Sequence, residues 1–250
     1  MDTNVTIVTA YYVINSKFPA SKYGEWIQKF MKIKSNKVIF TDNKSKNYIS
    51  KYELKNTNTT YIITDIKDFL VSKYDNLWDK HLRMDHEKNH NINLYKIWAE
   101  KTNFMLKAMN INPYNTTNFV WCDIGCFRND MRINNFLHWP KSKKINDKVI
   151  LLQLYNFLPK ELVNVNKIDE RFRKVVRIGG GIIAGNLDTI PKWHNAYYQT
   201  LQKFFENNIF AGKDQNVYAF TILQNPSLVH IVRPPANCNH IWVYLQDYLN

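Results

Sequence analysis

Short apolar runs alternate along this chain with longer stretches of helical spacing. β-Branched and aromatic runs at 5–10, 37–41, 61–64, 119–123, 149–154, 181–184 and 228–232, each bounded by polar or turn-forming residues, predict strands. Between them, Tyr23, Trp26, Ile27 and Phe30 recur at helical spacing within 22–31, and Leu94, Ile97, Trp98, Phe104, Met105 and Ala108 do so within 93–109. Residues 193–207 and 214–223 predict two further helices. Strands alternating with helices predict an α/β fold with a mainly parallel sheet flanked by helices on both faces. Residues 80–93 and 160–174 are too polar for the core and read as excursions over the active face.

Three strand ends carry groups that could meet a ligand. The run 118–122 ends in Asp123 followed by Ile124 and Gly125. In an open α/β sheet, ligands bind beyond the carboxyl ends of the strands, so this carboxylate is expected in the crevice, where it could hold a cation against phosphates. The first strand ends at Thr9-Ala10 followed by Tyr11 and Tyr12, rings on which a base could stack, and the second ends at Thr41-Asp42, placed to bond a base or ribose or simply to start a turn. The third feature is Gly179-Gly180-Gly181, where a backbone can approach a ligand closely, followed some thirty residues later by Asp214-Gln215.

Composition narrows the classes. In 250 residues no Pro/Gly/Ser-rich linker appears, so residues 1–250 read as one domain, and 45% hydrophobic with 14% aromatic residues is too apolar for a disordered chain. No apolar stretch approaches the roughly 20 residues of a transmembrane helix, and no secretory signal is visible. Three cysteines make no disulfide framework, which points to a reducing, cytoplasmic setting. Cys122 and Cys126 lack a second ligand pair at zinc spacing and read as packed thiols. A net charge of +13 would steer nucleic acid, an anionic surface or an anionic small substrate alike, and much of it comes from Lys/Asn-rich segments that reflect coding bias.

Rival motifs fall on context. His86-Glu87-Lys88-Asn89-His90 matches the zinc-protease pattern, but its neighbours are polar almost all round, which suits a solvated loop better than a buried amphipathic helix. The glycine cluster has the wrong final spacing for a dinucleotide fingerprint, and Pro191 interrupts the region where the phosphate-binding helix should begin. A basic nucleic-acid-binding protein without catalysis is the alternative from a different class. Against it, the cations are dispersed rather than gathered into a stripe.

At Val8 to Tyr11, Val38 to Asp42, Ile97 to Lys101, Trp121 to Arg128, Gly179 to Gly181 and Asp214-Gln215, taken in that order, the chain resembles the bacterial HtrL/YibB-type proteins, within the wider glycosyltransferase A-fold enzymes related to glycogenin-like transferases. The resemblance implies a GT-A-like, Rossmann-like domain. It also implies transfer of a sugar from a nucleotide-diphosphate sugar, a uridine one, to a hydroxyl on a glycan or related molecule. Thr9, Ala10, Tyr11, Asp42, Lys101, Asp123, Gly180 and Gly181 would bind the donor, and Asp214 with Gln215 would be the catalytic pair. Gly125 stands where the metal-binding Asp-x-Asp motif has its second acid. The diphosphate charge is then met in one of two ways. Either Asp123 shares Mn2+ or Mg2+ with phosphate oxygens, waters and His240, or Arg128 and Lys101 supply the positive charge directly.

Overall fold

The computed structural model describes residues 4–55 and 57–250. Its strands are β1 (Val5–Ala10), β2 (Asn36–Thr41), β3 (Thr59–Ile63), β4 (Asn118–Cys122), β5 (Val149–Gln153), β6 (Ile178–Asn186) and β7 (Val229–Val232). All join one sheet in the order β3-β2-β1-β4-β6-β5-β7. The helices are α1 (Ala20–Met31), α2 (Asn43–Ile49), α3 (Asp75–Met84), α4 (Ile92–Ile111), α5 (Asp130–Ile133), α6 (Thr189–Glu206), α7 (Asp214–Gln224) and α8 (Leu245–Tyr248).

The central strands read as continuous apolar runs because both faces of the sheet are covered. Val8, Phe40 and Trp121 point into one core with Phe104 of α4, Leu201 of α6 and Val217 of α7. Ile7, Ile39 and Val120 point into the other with Ile27 and Phe30 of α1 and Leu245 of α8. The expected mainly parallel α/β sheet is present: β1 runs parallel to β2 and β4, β2 to β3, and β5 to β7.

One strand departs from that direction. β6 lies antiparallel between β4 and β5. A parallel return needs a long crossover, usually a helix. Residues 154–177 supply only short 3-10 turns at Pro159–Glu161 and Glu170–Phe172, so the chain comes back antiparallel. This reversal builds the site. It brings the start of β6, with its glycines, to the same edge of the sheet as the end of β4, where the Asp123 amide donates to the Gly181 carbonyl at 2.8 Å.

Several elements differ from the sequence reading. α2 forms on a polar segment because Asp42 caps it, its Oδ1 accepting from the Ser45 amide at 2.6 Å. Residues 80–84 are the end of α3 rather than an excursion. α6 starts at Thr189, ahead of Pro191, which is tolerated because a first-turn N–H has no partner inside a helix. Residues 160–174 line neither of the cavities at the Asp123 edge. They are fastened instead by Arg177 to Glu161 and Arg171 to Asp169. Among the described residues, no helix is long and apolar enough to cross a membrane.

Candidate functional site

Beyond the end of β4, a buried lysine joins two acids from distant parts of the chain. Lys101 projects from α4, and its Nζ lies 3.1 Å from Asp123 Oδ1, 2.8 Å from Asp214 Oδ2 at the start of α7, and 2.8 Å from the Gly180 carbonyl it donates to. Burial works against the Lys101 charge, but the two carboxylates outweigh it and hold the ammonium above the ordinary lysine range. Burial pushes the Asp214 carboxyl up, with Lys101 opposing. The acids are unequal: the Asp123 side chain is 38% exposed and that of Asp214 only 6%. Asp123 Oδ1 also accepts from Trp121 Nε1 at 2.7 Å, which fixes the carboxylate from behind.

Two cavities open from this point. The first, of about 280 Å³, is walled by the rings of Tyr11, Tyr12, Phe18, Tyr23, Trp26 and Trp98 and reaches Asp123. The second, of about 480 Å³, is lined by Asp123, Gly180, Gly181, Gln215, His240 and Trp242 among others. Asp123, Cys126 and Arg128 line both and form the seam between them. The Arg128 guanidinium lies over the Trp26 ring at 4.2 Å and near Phe18 at 5.8 Å, while its Nε donates to the Gly125 carbonyl at 2.8 Å. A chamber walled by aromatic rings, a cation on the seam and a second chamber lined by glycines and Gln215 can take an aromatic base, an anionic linker and a hydroxyl-bearing group.

Residues 3–237 match the profile of a family described as bacterial protein of unknown function, HtrL_YibB. The chain belongs to that family. No curated protein matches it. Among solved structures, the apo form of mouse xyloside xylosyltransferase 1 aligns over 90% of this chain and 84% of its own, with 11% sequence identity and a TM-score of 0.48.

In this HtrL_YibB chain, the three strand-end features found in the sequence do not all reach the cavities. Ala10 and Tyr11 line the first cavity, and Gly180, Gly181, Gln215 and His240 line the second. Thr9 is fully buried in β1 and Asp42 is engaged as the α2 cap, and neither lines a cavity. Lys101 and Asp214 sit behind the cavity walls, tied to each other, and the Asp214 carboxylate also accepts from the Gln215 amide. Since Lys101 already faces two carboxylates, its charge is spoken for within the protein. The exposed cation on the seam is Arg128. Cys122 is buried as expected, whereas Cys126 is half-buried on the seam, its thiol donating to the Gly181 carbonyl.

His90 is a site residue that sequence reasoning missed. Taken as part of a solvated loop, it is instead a buried side chain lining the first cavity, its ring edge-on to Trp98. Its Nδ1 meets Asp85 Oδ2 at 2.7 Å, and the same oxygen accepts from Tyr95 Oη at 2.6 Å. Its Nε2 lies 3.5 Å from Glu87, which in turn pairs with Lys213 beside Asp214. The available signal was the acid five residues before His90, not the zinc-protease spacing.

Proposed function

We propose that this chain is a glycosyltransferase that moves a sugar from a nucleotide-diphosphate donor, a uridine one, to a hydroxyl acceptor on a glycan or related molecule. The observation that carries the reading is the meeting, at Asp123 and Arg128, of an aromatic-walled cavity and a second cavity lined by Gly180, Gly181 and Gln215. The base stacks among Tyr11, Tyr23 and Trp26, and the diphosphate lies at the seam against the Arg128 guanidinium. The donor sugar enters the second cavity along Gly180 and Gly181. Transfer breaks the bond from the anomeric carbon to the diphosphate oxygen and forms one to the acceptor oxygen, whose proton passes to a base. Gln215 faces the reacting sugar directly, and Asp214 acts behind it by holding Lys101 and the Gln215 backbone.

Asp123 and His240 are the donors a divalent cation, Mn2+ or Mg2+, would take from the protein, since both line the second cavity and Asp123 remains partly exposed. Among the described residues no group of three His, Cys, Asp or Glu side chains could hold a metal, so the remaining ligands would be diphosphate oxygens and water. When bound, the ion would act as a Lewis acid on the leaving diphosphate.

A thermal-shift screen of nucleotide sugars and free nucleotides, each with Mn2+, with Mg2+ and with chelator, tests the reading. A selective stabilisation by one nucleotide sugar, followed by turnover that Asp123→Ala abolishes, is the expected result. No shift with any of them, combined with salt-dependent oligonucleotide binding, would overturn it.

A further inference from the structure

The second cavity has more lining than the glycines along which a donor sugar would rest. Besides Gly181 and Gln215 it is lined by the exposed side chains of Asn129, Asn239 and Trp242 and by the half-buried Arg132, which form its mouth. Trp242 is 51% exposed, unusual for the largest apolar side chain in a protein whose Trp78, Trp121, Trp139 and Trp193 are all fully buried. It sits on the short turn Ile241–Val243, and the segment is anchored beneath by Leu245, which is fully buried, and by Gln246 Nε2 donating to the Cys126 carbonyl at 3.1 Å. The indole is therefore carried on a fixed base that is bonded to the seam residue Cys126.

The charges at this mouth are already matched. Arg132 pairs with Asp247 at 2.5 Å and Asn129 Oδ1 accepts from the Met131 amide, which leaves the Asn129 NH2, the Asn239 carboxamide and the exposed Trp242 indole as the groups a ligand would meet. A flat apolar ring flanked by hydrogen-bonding groups, with Arg132 neutralised, suits a molecule that is apolar on one ring face and hydroxylated around its rim. We infer that this mouth is the acceptor subsite, and that it takes a neutral pyranose stacked on Trp242 with one hydroxyl directed inward toward Gln215 and Asp123. The inference rests on the transfer reading for the direction of that hydroxyl, but the saccharide site itself can be tested without turnover.

Saturation-transfer NMR of the full chain with methyl hexosides and neutral disaccharides, with and without UDP, tests it alongside Trp242→Ala and Trp242→Phe. At least one saccharide is expected to bind, with Trp242→Ala weakening it about tenfold, the scale of one lost ring contact, and Trp242→Phe retaining part of the affinity. The thermal shift given by UDP should be the same in all three proteins, since Trp242 does not line the first cavity. Nucleotide binding with no saccharide binding, saccharide binding indifferent to Trp242, or transfer to a hydroxyl peptide in place of a saccharide would overturn the inference and leave the transferase reading intact. Trp242-dependent saccharide binding without nucleotide binding would do the reverse.

Discussion

Gly180 and Asp214 are in contact through an absent side chain: a Cβ on residue 180 would stand 2.7 Å from Asp214 Oδ2 and 3.2 Å from its Cγ. No methyl group fits there without displacing the carboxylate, and that carboxylate holds Lys101. Gly180→Ala is therefore expected to break the pairing although the new residue is small and apolar. With the nucleotide sugar that the screen identifies, kcat should fall by about a hundredfold, the usual result of moving a positioned group by an ångström. Unchanged kcat would mean that Asp214 does not hold the reaction centre in place.

Lys101 stands between Asp123 on the cavity wall and Asp214 behind it, so its removal should leave the two carboxylates facing each other. Lys101→Met is predicted to destabilise the fold by about 3 to 5 kcal/mol, the range for breaking a buried ion pair from one side. The double variant Lys101→Met with Asp214→Asn should recover part of that loss, because one of the unpaired charges goes with it. Urea denaturation of the two variants decides the matter. Equal stabilities would show that the lysine matters for its packing alone.

Acid should begin to weaken the fold above the range in which carboxylates titrate. Burial holds His81 and His194 down to about 4 from the usual 6.5. Between those values the unfolded chain binds more protons than the native one, so stability is full above pH 6.5 and declines as pH falls toward 4. His81 Nδ1 also accepts from the Ala211 amide, a bond that protonation of that nitrogen would remove. The melting temperature should drop across this interval in wild type and less in His81→Gln, whose side-chain oxygen can still accept. A pH profile identical in the two proteins would refute this assignment.

Restoring the second acid of the metal motif should not help. A Cβ at residue 125 would lie 3.0 Å from Trp26 Cε3, and Trp26 carries the Arg128 guanidinium on its face. Gly125→Asp is expected to push Trp26 aside and weaken nucleotide binding rather than create a cation cage. Calorimetry offers a direct check: Mn2+ alone should give no binding to wild type, Mn2+ with UDP should, and Gly125→Asp should bind UDP more weakly than wild type with and without Mn2+. Tight Mn2+ binding by Gly125→Asp in the absence of nucleotide would contradict this account.

The convergence of Asp123, the glycine cluster and Asp214-Gln215 was legible in the sequence because each sits at a strand end or a turn, where local pattern is strongest. That β6 runs antiparallel was not, because direction depends on what fills residues 154–177, and short 3-10 turns leave little periodic trace. The paired state of Lys101 was hidden for a different reason. A lysine on a helix reads as a free cation until the strand opposite it is known, and only the packing of α4 against β4 shows that its charge is matched. Asp42 offered both a ligand role and a turn role from the sequence alone, and its bond to the Ser45 amide shows the local role in use. His90 was obscured by a coincidental spacing that drew attention to metal ligation and away from Asp85.

Arg128 arrives at the seam with little freedom left. Two aromatic rings hold its guanidinium and a carbonyl holds its Nε. An ordinary surface arginine must give up rotamer entropy when it closes on an anion, and that loss subtracts from affinity. Here the side chain is immobilised when the protein folds, so an incoming anion meets a charge already oriented and keeps more of the interaction energy as binding. Under the proposed function, preorganisation of this kind would let a single cation grip the diphosphate without a flexible basic loop.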